Sequence, residues 1–121
     1  MTKTILTIDD SRVMRQMLHK VLTEAGFNVV QAEDGVEGLN ALHAADPQVI
    51  ITDINMPNLD GYGVIEGVRG DTRYRATPIL VLSTESSVEK KSRAREAGAT
   101  GWIVKPFKAE ALIDAIRRVS A

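Results

Sequence analysis

The sequence predicts a doubly wound α/β domain, in which helices cover both faces of a parallel β-sheet. Three observations predict this fold. Short apolar runs rich in β-branched residues recur along the chain, segments with helical spacing separate them, and no linker or low-complexity tract divides the 121 residues. Strands that alternate with helices form parallel sheets with right-handed crossovers, and their ligand sites lie beyond the carboxyl ends of the strands.

Five apolar runs predict the strands of the sheet. Each run is nearly continuous in its apolar character rather than alternating, as strands buried on both faces require. In chain order the runs are Ile5–Ile8, Phe27–Val30, Val49–Ile51, Ile79–Leu82 and Trp102–Val104.

Helical spacing of apolar residues predicts α-helices in the segments between the runs. The first stripe extends from Val13 to Ala25, with Ser11 as its N-cap and Gly26 as its stop. Another stripe extends from Ala109 to Val119. Weaker patterns over residues 35–44, 63–69 and 87–97 predict three more helices, which gives five β-α units.

The composition excludes several classes of protein. The chain has no cysteine, which excludes disulfides, thiolate zinc sites and cysteine nucleophiles. Its longest apolar runs have four residues, far fewer than the ~20 needed to span a bilayer. Asp9 and Asp10 interrupt the N-terminal segment before a signal peptide can develop. We therefore expect a cytoplasmic monomer with a single domain covering residues 1–121.

The polar residues that follow four of the five apolar runs are expected to meet at one place on the sheet. Because parallel strands end at one edge of the sheet, about 4.8 Å apart, three carboxylates, two hydroxyls and a lysine should converge there. The exception is the second run, which is followed by Gln31, Ala32 and Glu33, and an edge position would explain it. The residues that follow the other runs are Asp9 and Asp10, Thr52 and Asp53, Ser83 and Thr84, and Lys105.

Three neighbouring carboxylates repel one another, by about 1 kcal/mol per pair at ~4 Å in water and about 4 kcal/mol at an effective dielectric of ~20. Either some of them are protonated or a cation lies among them. Oxygen ligands with no histidine or cysteine nearby suit Mg²⁺. A divalent cation, a carboxylate and an ammonium group around one cavity can bind a phosphoryl group, whose charge the cations neutralise while a carboxylate attacks in line.

Each of these residues also has an ordinary explanation. Asp9 and Asp10 can be helix caps, the segment Asp53–Gly61 can be a turn, and Lys105 can be a solvated lysine. Their joint placement at one sheet edge favours a site over these separate explanations.

The chain resembles the response-regulator receiver domains, and among them the single-domain chemotaxis type, over essentially its whole length. The resemblance implies a five-stranded, flavodoxin-like sheet with strand order 2-1-3-4-5. Four motifs carry it: the acidic pair in Ile8-Asp9-Asp10-Ser11, the segment Asp53–Gly61, Pro78 before a fourth strand that ends at Ser83, and the segment Gly101–Phe107.

The resemblance implies that Asp53 is a phosphoacceptor, which takes a phosphoryl group from a histidine kinase. Mg²⁺ would be held by the side chains of Asp10 and Asp53, by the backbone carbonyl of Asn55, and by Asp9 mainly through water. Ser83 would donate a hydrogen bond to the phosphoryl group.

The remaining site roles also come from the resemblance. Lys105 would contact the phosphoryl group as a counter-charge, and the peptide bond between Lys105 and Pro106 would be cis. Asn55 and Glu85 occupy the positions that modulate hydrolysis of the acyl phosphate. We therefore expect a short-lived phosphorylated state in a protein that is not an enzyme and assists only its own phosphotransfer and hydrolysis.

The resemblance further implies a switch that couples the site to the face formed by the fourth helix, fifth strand and fifth helix. Ser83 would move toward the phosphoryl group and Trp102 would turn inward. The chain has Ser83 where threonine is common, Trp102 where tyrosine or phenylalanine is usual, and Thr84 where a smaller residue often lies.

The chain ends at Ala121, directly after the fifth predicted helix, so we expect no fused effector domain and output through a partner. For a chemotaxis regulator the partners are the flagellar motor switch protein and the chemotaxis kinase. A solvated surface is the ordinary explanation for the basic fourth helix. The residues predicted to bind the partner are Lys91, Arg95, Trp102 and Lys108.

The net charge of −1 conceals an asymmetry that agrees with this interpretation. Residues 1–60 carry four basic and nine acidic residues, whereas residues 61–121 carry eleven basic and seven acidic ones. We attribute the acidic excess mainly to the metal and phosphoryl site, and the basic excess partly to the fourth helix.

Other functions remain as alternatives. A phosphate sink or a phosphorelay intermediate would have the same site. A metal-dependent phosphohydrolase could use Asp53 as its nucleophile, although Asn55 stands where such an enzyme has a second carboxylate. Nucleic-acid binding is disfavoured because the chain has no net positive charge, and dinucleotide binding because no glycine-rich turn follows the first run.

Overall fold

The computed structural model describes residues 2–120, which form five parallel strands, five α-helices and one 3₁₀ helix. The ends of the predicted domain, Met1 and Ala121, lie outside the described residues. The strands are β1 Thr4–Ile8, β2 Asn28–Ala32, β3 Val49–Thr52, β4 Ile79–Ser83 and β5 Gly101–Val104. The helices are α1 Arg12–Glu24, α2 Gly35–Ala45, α3 Gly61–Arg69, α4 Val88–Ala97 and α5 Ala109–Val119, with the 3₁₀ helix at Thr72–Tyr74.

The strands are hydrogen-bonded in the order β2-β1-β3-β4-β5, which confirms the predicted fold class. The strand β2 lies at an edge, as the residues following it indicated. The interior strand β1 pairs with β2 on one side and β3 on the other, with Ile8 opposite both Ala32 and Thr52. This register brings the ends of β1 and β3 together.

Two apolar layers pack against opposite faces of the sheet. One layer includes buried residues of α2, α3 and α4, and the other is formed by α1 and α5. Along β3, Ile50 faces the first layer while Val49 and Ile51 face the second. Both faces of the strands are therefore buried, which explains why the apolar runs are nearly continuous.

The end of α1 explains why the second strand begins later than predicted. Ser11 caps the helix by accepting a hydrogen bond from the Met14 amide at 3.2 Å. At the other end Gly26 takes a left-handed conformation with φ +94°, and the amides of Gly26 and Phe27 donate to carbonyls of the last helical turn. Phe27 therefore belongs to the helix ending, and β2 runs from Asn28 to Ala32.

Side-chain caps account for the other boundaries. Asp34, Asp60 and Ser87 each accept a hydrogen bond from the backbone amide three residues later. As a result α3 begins at Gly61, two residues before the predicted start. The short 3₁₀ helix at Thr72–Tyr74 was not predicted. Within residues 2–120, no helix is both long and apolar enough to cross a membrane.

Candidate functional site

Three carboxylates meet where β1 and β3 end. Asp9, Asp10 and Asp53 each present an oxygen, and these three atoms lie within 4.8 Å of one another. The Asp53 amide donates to the Ile8 carbonyl at 3.0 Å, so the β1–β3 pairing continues beyond the last strand residues. The register of two neighbouring parallel strands is therefore what places Asp53 beside the acidic pair.

The three carboxylates differ in their contact with solvent. Asp9 is only 2% exposed, the Asp53 side chain is 13% exposed, and Asp10 is exposed. Burial raises the pKa of Asp9 above its ordinary value, although Lys105 and the Ser11 amide both donate hydrogen bonds to its charged form. The ionised Asp9 is thus held at a cost, which a bound cation would reduce.

Lys105 reaches into this cluster from the end of β5. Its ammonium group donates to Asp9 Oδ2 at 2.9 Å and to Asp53 Oδ2 at 3.1 Å, and its side chain is 10% exposed. Burial alone would lower the pKa of Lys105, but the hydrogen bonds and charges of the two carboxylates outweigh it and raise the pKa. The peptide bond to Pro106 is cis, as the resemblance implied.

The loop between β3 and α3 is stabilised by hydrogen bonds among its own residues. Asp53 Oδ1 accepts a hydrogen bond from the Ile54 amide at 2.7 Å, and the Gly61 amide donates to the Ile54 carbonyl at 2.8 Å. A Cβ atom on Gly61 would collide with the Asp53 carbonyl oxygen. Asn58 has φ +68°, and its side-chain amide donates to the Asp34 carboxylate at 2.7 Å. This segment is therefore a folded loop that directs Asp53, and it leaves Asn55 exposed beside it.

Ser83 and Trp102 are joined through one residue of the β4–α4 loop. The Glu85 amide donates to the buried Ser83 hydroxyl at 3.2 Å, and the Trp102 indole donates to the Glu85 carbonyl at 2.9 Å. The Glu85 carboxylate pairs with Lys90 at 2.9 Å, and Thr84 is exposed. The predicted inward turn of Trp102 stays a prediction, but its indole already donates to the loop that follows Ser83.

Three of the four residues predicted to bind a partner lie together. Lys91, Arg95 and Trp102 line a small cavity of about 60 Å³ between α4 and β5. Lys108 is not part of that cavity and lies exposed before α5. The structure therefore gathers Lys91, Arg95 and Trp102 on one face and leaves Lys108 apart from them.

Arg15 contacts the acidic pair, although the sequence did not single it out. Its guanidinium group donates to the Asp9 carbonyl at 2.7 Å and lies 3.8 Å from the Glu33 carboxylate. In the sequence, the only indication of this contact is the position of Arg15 shortly after the acidic pair. A solvated arginine at the same position would look no different.

The donor set fits a hard divalent cation. The cluster offers carboxylate oxygens only, which are the ligands that Mg²⁺ and Ca²⁺ prefer. Lys105 contacts only two of the three carboxylates, which leaves carboxylate oxygens available to a further cation.

The family follows from this fold and from the sequence together. Residues 5–117 match the family model described as the response regulator receiver domain. Because that match covers most of the chain, the protein belongs to this receiver-domain family.

Its relatives include chemotaxis proteins named CheY. The chain is 34% identical to CheY of Pseudomonas aeruginosa, covering 95% of this chain and 94% of that protein. It is 39% identical to CheY1 of Helicobacter pylori, covering 89% of each. The solved structure of CheY4 from Vibrio cholerae matches with a TM-score of 0.95 and 44% identity, over 98% of this chain and 99% of that one. Similarity to CheY proteins therefore extends over nearly the whole chain.

Proposed function

We propose that this protein is a phosphorylation-driven switch of chemotaxis signalling. Asp53 would accept a phosphoryl group from a histidine kinase, and the face formed by α4, β5 and α5 would then bind the flagellar motor switch protein. The observation that carries the proposal is the position of Asp53, which lies partly exposed between Lys105 and the acidic pair.

The groups around Asp53 suit attack on a phosphorus atom. One carboxylate oxygen is held by the Ile54 amide and the other by the Lys105 ammonium group. In the transfer, a bond forms between an Asp53 oxygen and phosphorus while the bond between phosphorus and the donor histidine nitrogen breaks. Lys105 would then neutralise a phosphoryl oxygen.

Side chains of Asp10 and Asp53 would hold Mg²⁺, with the Asn55 carbonyl and, through water, Asp9. When bound, the ion would supply positive charge to the phosphoryl oxygens. The surrounding residues would meanwhile keep the reacting carboxylate in place. We expect one phosphoryl group per chain and no turnover of external phosphate esters, so the protein would not be a phosphohydrolase.

A change at the phosphoryl group can reach the partner face through Glu85. Ser83 is bonded to the Glu85 amide and Trp102 to its carbonyl, so a movement of the Ser83 hydroxyl toward the phosphoryl group would disturb both bonds. Trp102 lies in the same cavity as Lys91 and Arg95. We therefore infer that the cavity changes shape on phosphorylation.

Mass spectrometry of the intact protein tests the phosphoacceptor. Incubation with acetyl phosphate and Mg²⁺ should add the mass of one phosphoryl group to the native chain and none to Asp53→Asn. Asp60→Asn, an acid at the far end of the same loop, serves as the matched control and should be phosphorylated. Equal labelling of the native chain and Asp53→Asn, or labelling of neither, would contradict the proposal.

A phosphate sink or phosphorelay intermediate has the same chemistry but a different output. Binding of the phosphorylated and unphosphorylated chain to a motor-switch peptide separates the possibilities. A motor regulator should bind the peptide more tightly when phosphorylated, and Lys91→Ala with Arg95→Ala should weaken that binding. Equal binding of both forms would favour the phosphate sink or the relay.

A further inference from the structure

We propose that Arg15 is a positioning residue that holds the peptide group between Asp9 and Asp10 for metal binding. The inference rests on the proposed function and deepens it. It starts from one contact: a charged guanidinium group, only 14% exposed, donates a 2.7 Å hydrogen bond to the carbonyl oxygen of Asp9.

Arg15 is itself held from two directions. The carbonyl of Arg15 in α1 accepts a hydrogen bond from the Gln31 side chain of β2 at 2.7 Å. Its guanidinium group also lies 3.8 Å from Glu33, which follows β2. Arg15 therefore connects the turn after β1 with the segment after β2, and its short bond to Asp9 is a charge-assisted one.

The hydrogen bond from Arg15 to the Asp9 carbonyl matters because the same peptide group carries the backbone amide of Asp10. A peptide group is planar, so the direction of the Asp9 carbonyl also sets the direction of the Asp10 backbone amide. The Asp9 carboxylate is held by the Ser11 amide and by Lys105. Within residues 2–120 the Asp10 carboxylate is exposed and has no hydrogen-bond partner, so its position depends on the backbone that Arg15 holds.

Two effects of Arg15 on metal binding have opposite signs. Its positive charge near the acidic pair opposes the arrival of a cation, whereas its hydrogen bond keeps the ligands in place. Removing the side chain would tighten Mg²⁺ binding if charge dominated and weaken it if positioning dominated. Arg12, exposed at the start of the same helix and two residues after Asp10 in the sequence, carries the same charge but makes no side-chain hydrogen bond in the described part of the chain.

Calorimetric titration with Mg²⁺ decides between the two effects. Arg15→Met keeps the aliphatic stem and loses every donor, and we expect its Mg²⁺ affinity to fall about tenfold, as for other residues that orient metal ligands. Arg12→Met should bind within about twofold of the native chain. Arg15→Lys keeps the charge and one donor group, and its affinity should lie between those of Arg15→Met and the native protein.

Each variant is also unfolded with urea in the presence of EDTA, so that a loss of metal affinity is separated from a loss of fold. At saturating Mg²⁺, Arg15→Met should be phosphorylated by acetyl phosphate to the same extent as the native chain, because the phosphoacceptor itself is intact. If Arg15→Met does not fold, Arg15→Lys takes its place, and at least threefold weaker binding than in the native chain supports the inference.

Unchanged or tighter Mg²⁺ binding in Arg15→Met, or in Arg15→Lys when it stands in, would overturn the inference. If Asp53 still accepted a phosphoryl group in that case, the proposed function would stand. A native protein that bound no Mg²⁺ would instead overturn both.

Discussion

Asp9 and Lys105 share one ion pair, yet burial affects the two groups differently. Lys105 gains from two carboxylates, so its charged form is favoured despite the loss of water. Asp9 is more deeply buried and loses more by desolvation than its partners return. At the scale of single residues, folding therefore favours the charged form of Lys105 and disfavours the charged form of Asp9.

Because ionisation of the buried Asp9 carboxyl group costs free energy, we predict a pH-dependent gain in stability for Asp9→Asn. A carboxyl group whose pKa is raised on folding destabilises the folded state once it is ionised. This penalty is absent below the ordinary pKa of 3.8, grows as the pH rises from there to the raised folded-state pKa, and is constant at higher pH. In EDTA, Asp9→Asn should raise the free energy of unfolding at pH 7, and the gain should vanish near pH 3.5.

Urea unfolding between pH 3.5 and 7 measures that gain. Asp114→Asn, an exposed acid on α5, is the matched control and should show no comparable gain. A gain in Asp9→Asn that stays constant over this pH range would show that ionisation of Asp9 is not its cause.

Removal of Lys105 should have the opposite effect. Lys105→Met leaves Asp9 and Asp53 without their shared cation, and we expect the unfolding free energy in EDTA to fall by about 3 kcal/mol at pH 7. Mg²⁺ should then stabilise the variant more than it stabilises the native chain. Urea unfolding with and without Mg²⁺ tests this, with the exposed Lys108→Met as control. Equal effects of the two substitutions would contradict the prediction.

At the scale of elements, the β3–α3 loop is shaped by a backbone contact that admits no side chain. Gly61→Ala would drive a Cβ atom into the Asp53 carbonyl oxygen and to 2.8 Å from the Ile54 Cα atom. Relief requires movement of the loop that holds Asp53, so we expect a loss of about 2 kcal/mol in unfolding free energy. Phosphorylation by acetyl phosphate should also slow.

Gly70→Ala is the control for that substitution. Its nearest contact would be the Glu66 carbonyl oxygen at 3.3 Å, and it lies at the end of α3, away from Asp53. A phosphorylation rate that falls equally in both variants would exclude the proposed effect on the loop.

The helix α4 is anchored at its C-terminal end by an arginine that has no acidic partner among residues 2–120. Arg69 donates to the carbonyls of Gly98, Tyr74 and Thr77 at 3.0, 2.9 and 2.7 Å, and burial lowers its pKa. Such a cation also interacts favourably with the negative end of the helix. The anchor therefore fixes one end of the element that forms part of the proposed switching face.

Arg69→Met should cost about 3 kcal/mol, because three carbonyls each lose a hydrogen bond that contributes roughly 1 kcal/mol. Amide exchange should accelerate in the last turn of α4. Urea unfolding and hydrogen exchange measure the two effects, and Arg75→Met, an exposed neighbour, provides the comparison. Unaltered exchange in α4 would show that the anchor does not hold the helix.

At the scale of the whole molecule, metal binding and folding are linked. A ligand that binds only the folded chain at ten times its Kd stabilises the fold by about 1.4 kcal/mol. For a domain of this size, that corresponds to a rise in Tm of about 5 °C. Thermal unfolding with Mg²⁺ should show this rise, and NaCl at the same ionic strength should not. Asp10→Asn should lose most of the Mg²⁺ effect; a rise that NaCl reproduces would indicate screening of the carboxylates instead.

The layered architecture of this molecule was predictable because it depends on repeated patterns. Continuous apolar runs indicated strands buried on both faces, and the second run indicated an edge strand because the residues that follow it were not needed for the polar cluster. The neighbouring ends of β1 and β3 then brought Asp9 and Asp53 together, as the rule for parallel sheets requires.

Single contacts between distant segments were not predictable. Arg15 and Arg69 look like solvated arginines in the sequence, since only the folded chain shows which carbonyls they meet. The displacement of Phe27 from the second strand depends on the ending of α1. The 3₁₀ helix depends on a cap by Asp71, whose side chain accepts from the Arg73 amide at 3.1 Å.

The indole of Trp102 has a practical consequence for studying this protein. It is the only tryptophan among the 121 residues, and its N–H group is bonded to the Glu85 carbonyl at 2.9 Å. Indole emission depends on the polarity around the ring and on its hydrogen bond. Any rearrangement of the β4–α4 loop should therefore change the fluorescence of the native chain, which would make the indole an intrinsic optical reporter of the proposed switch.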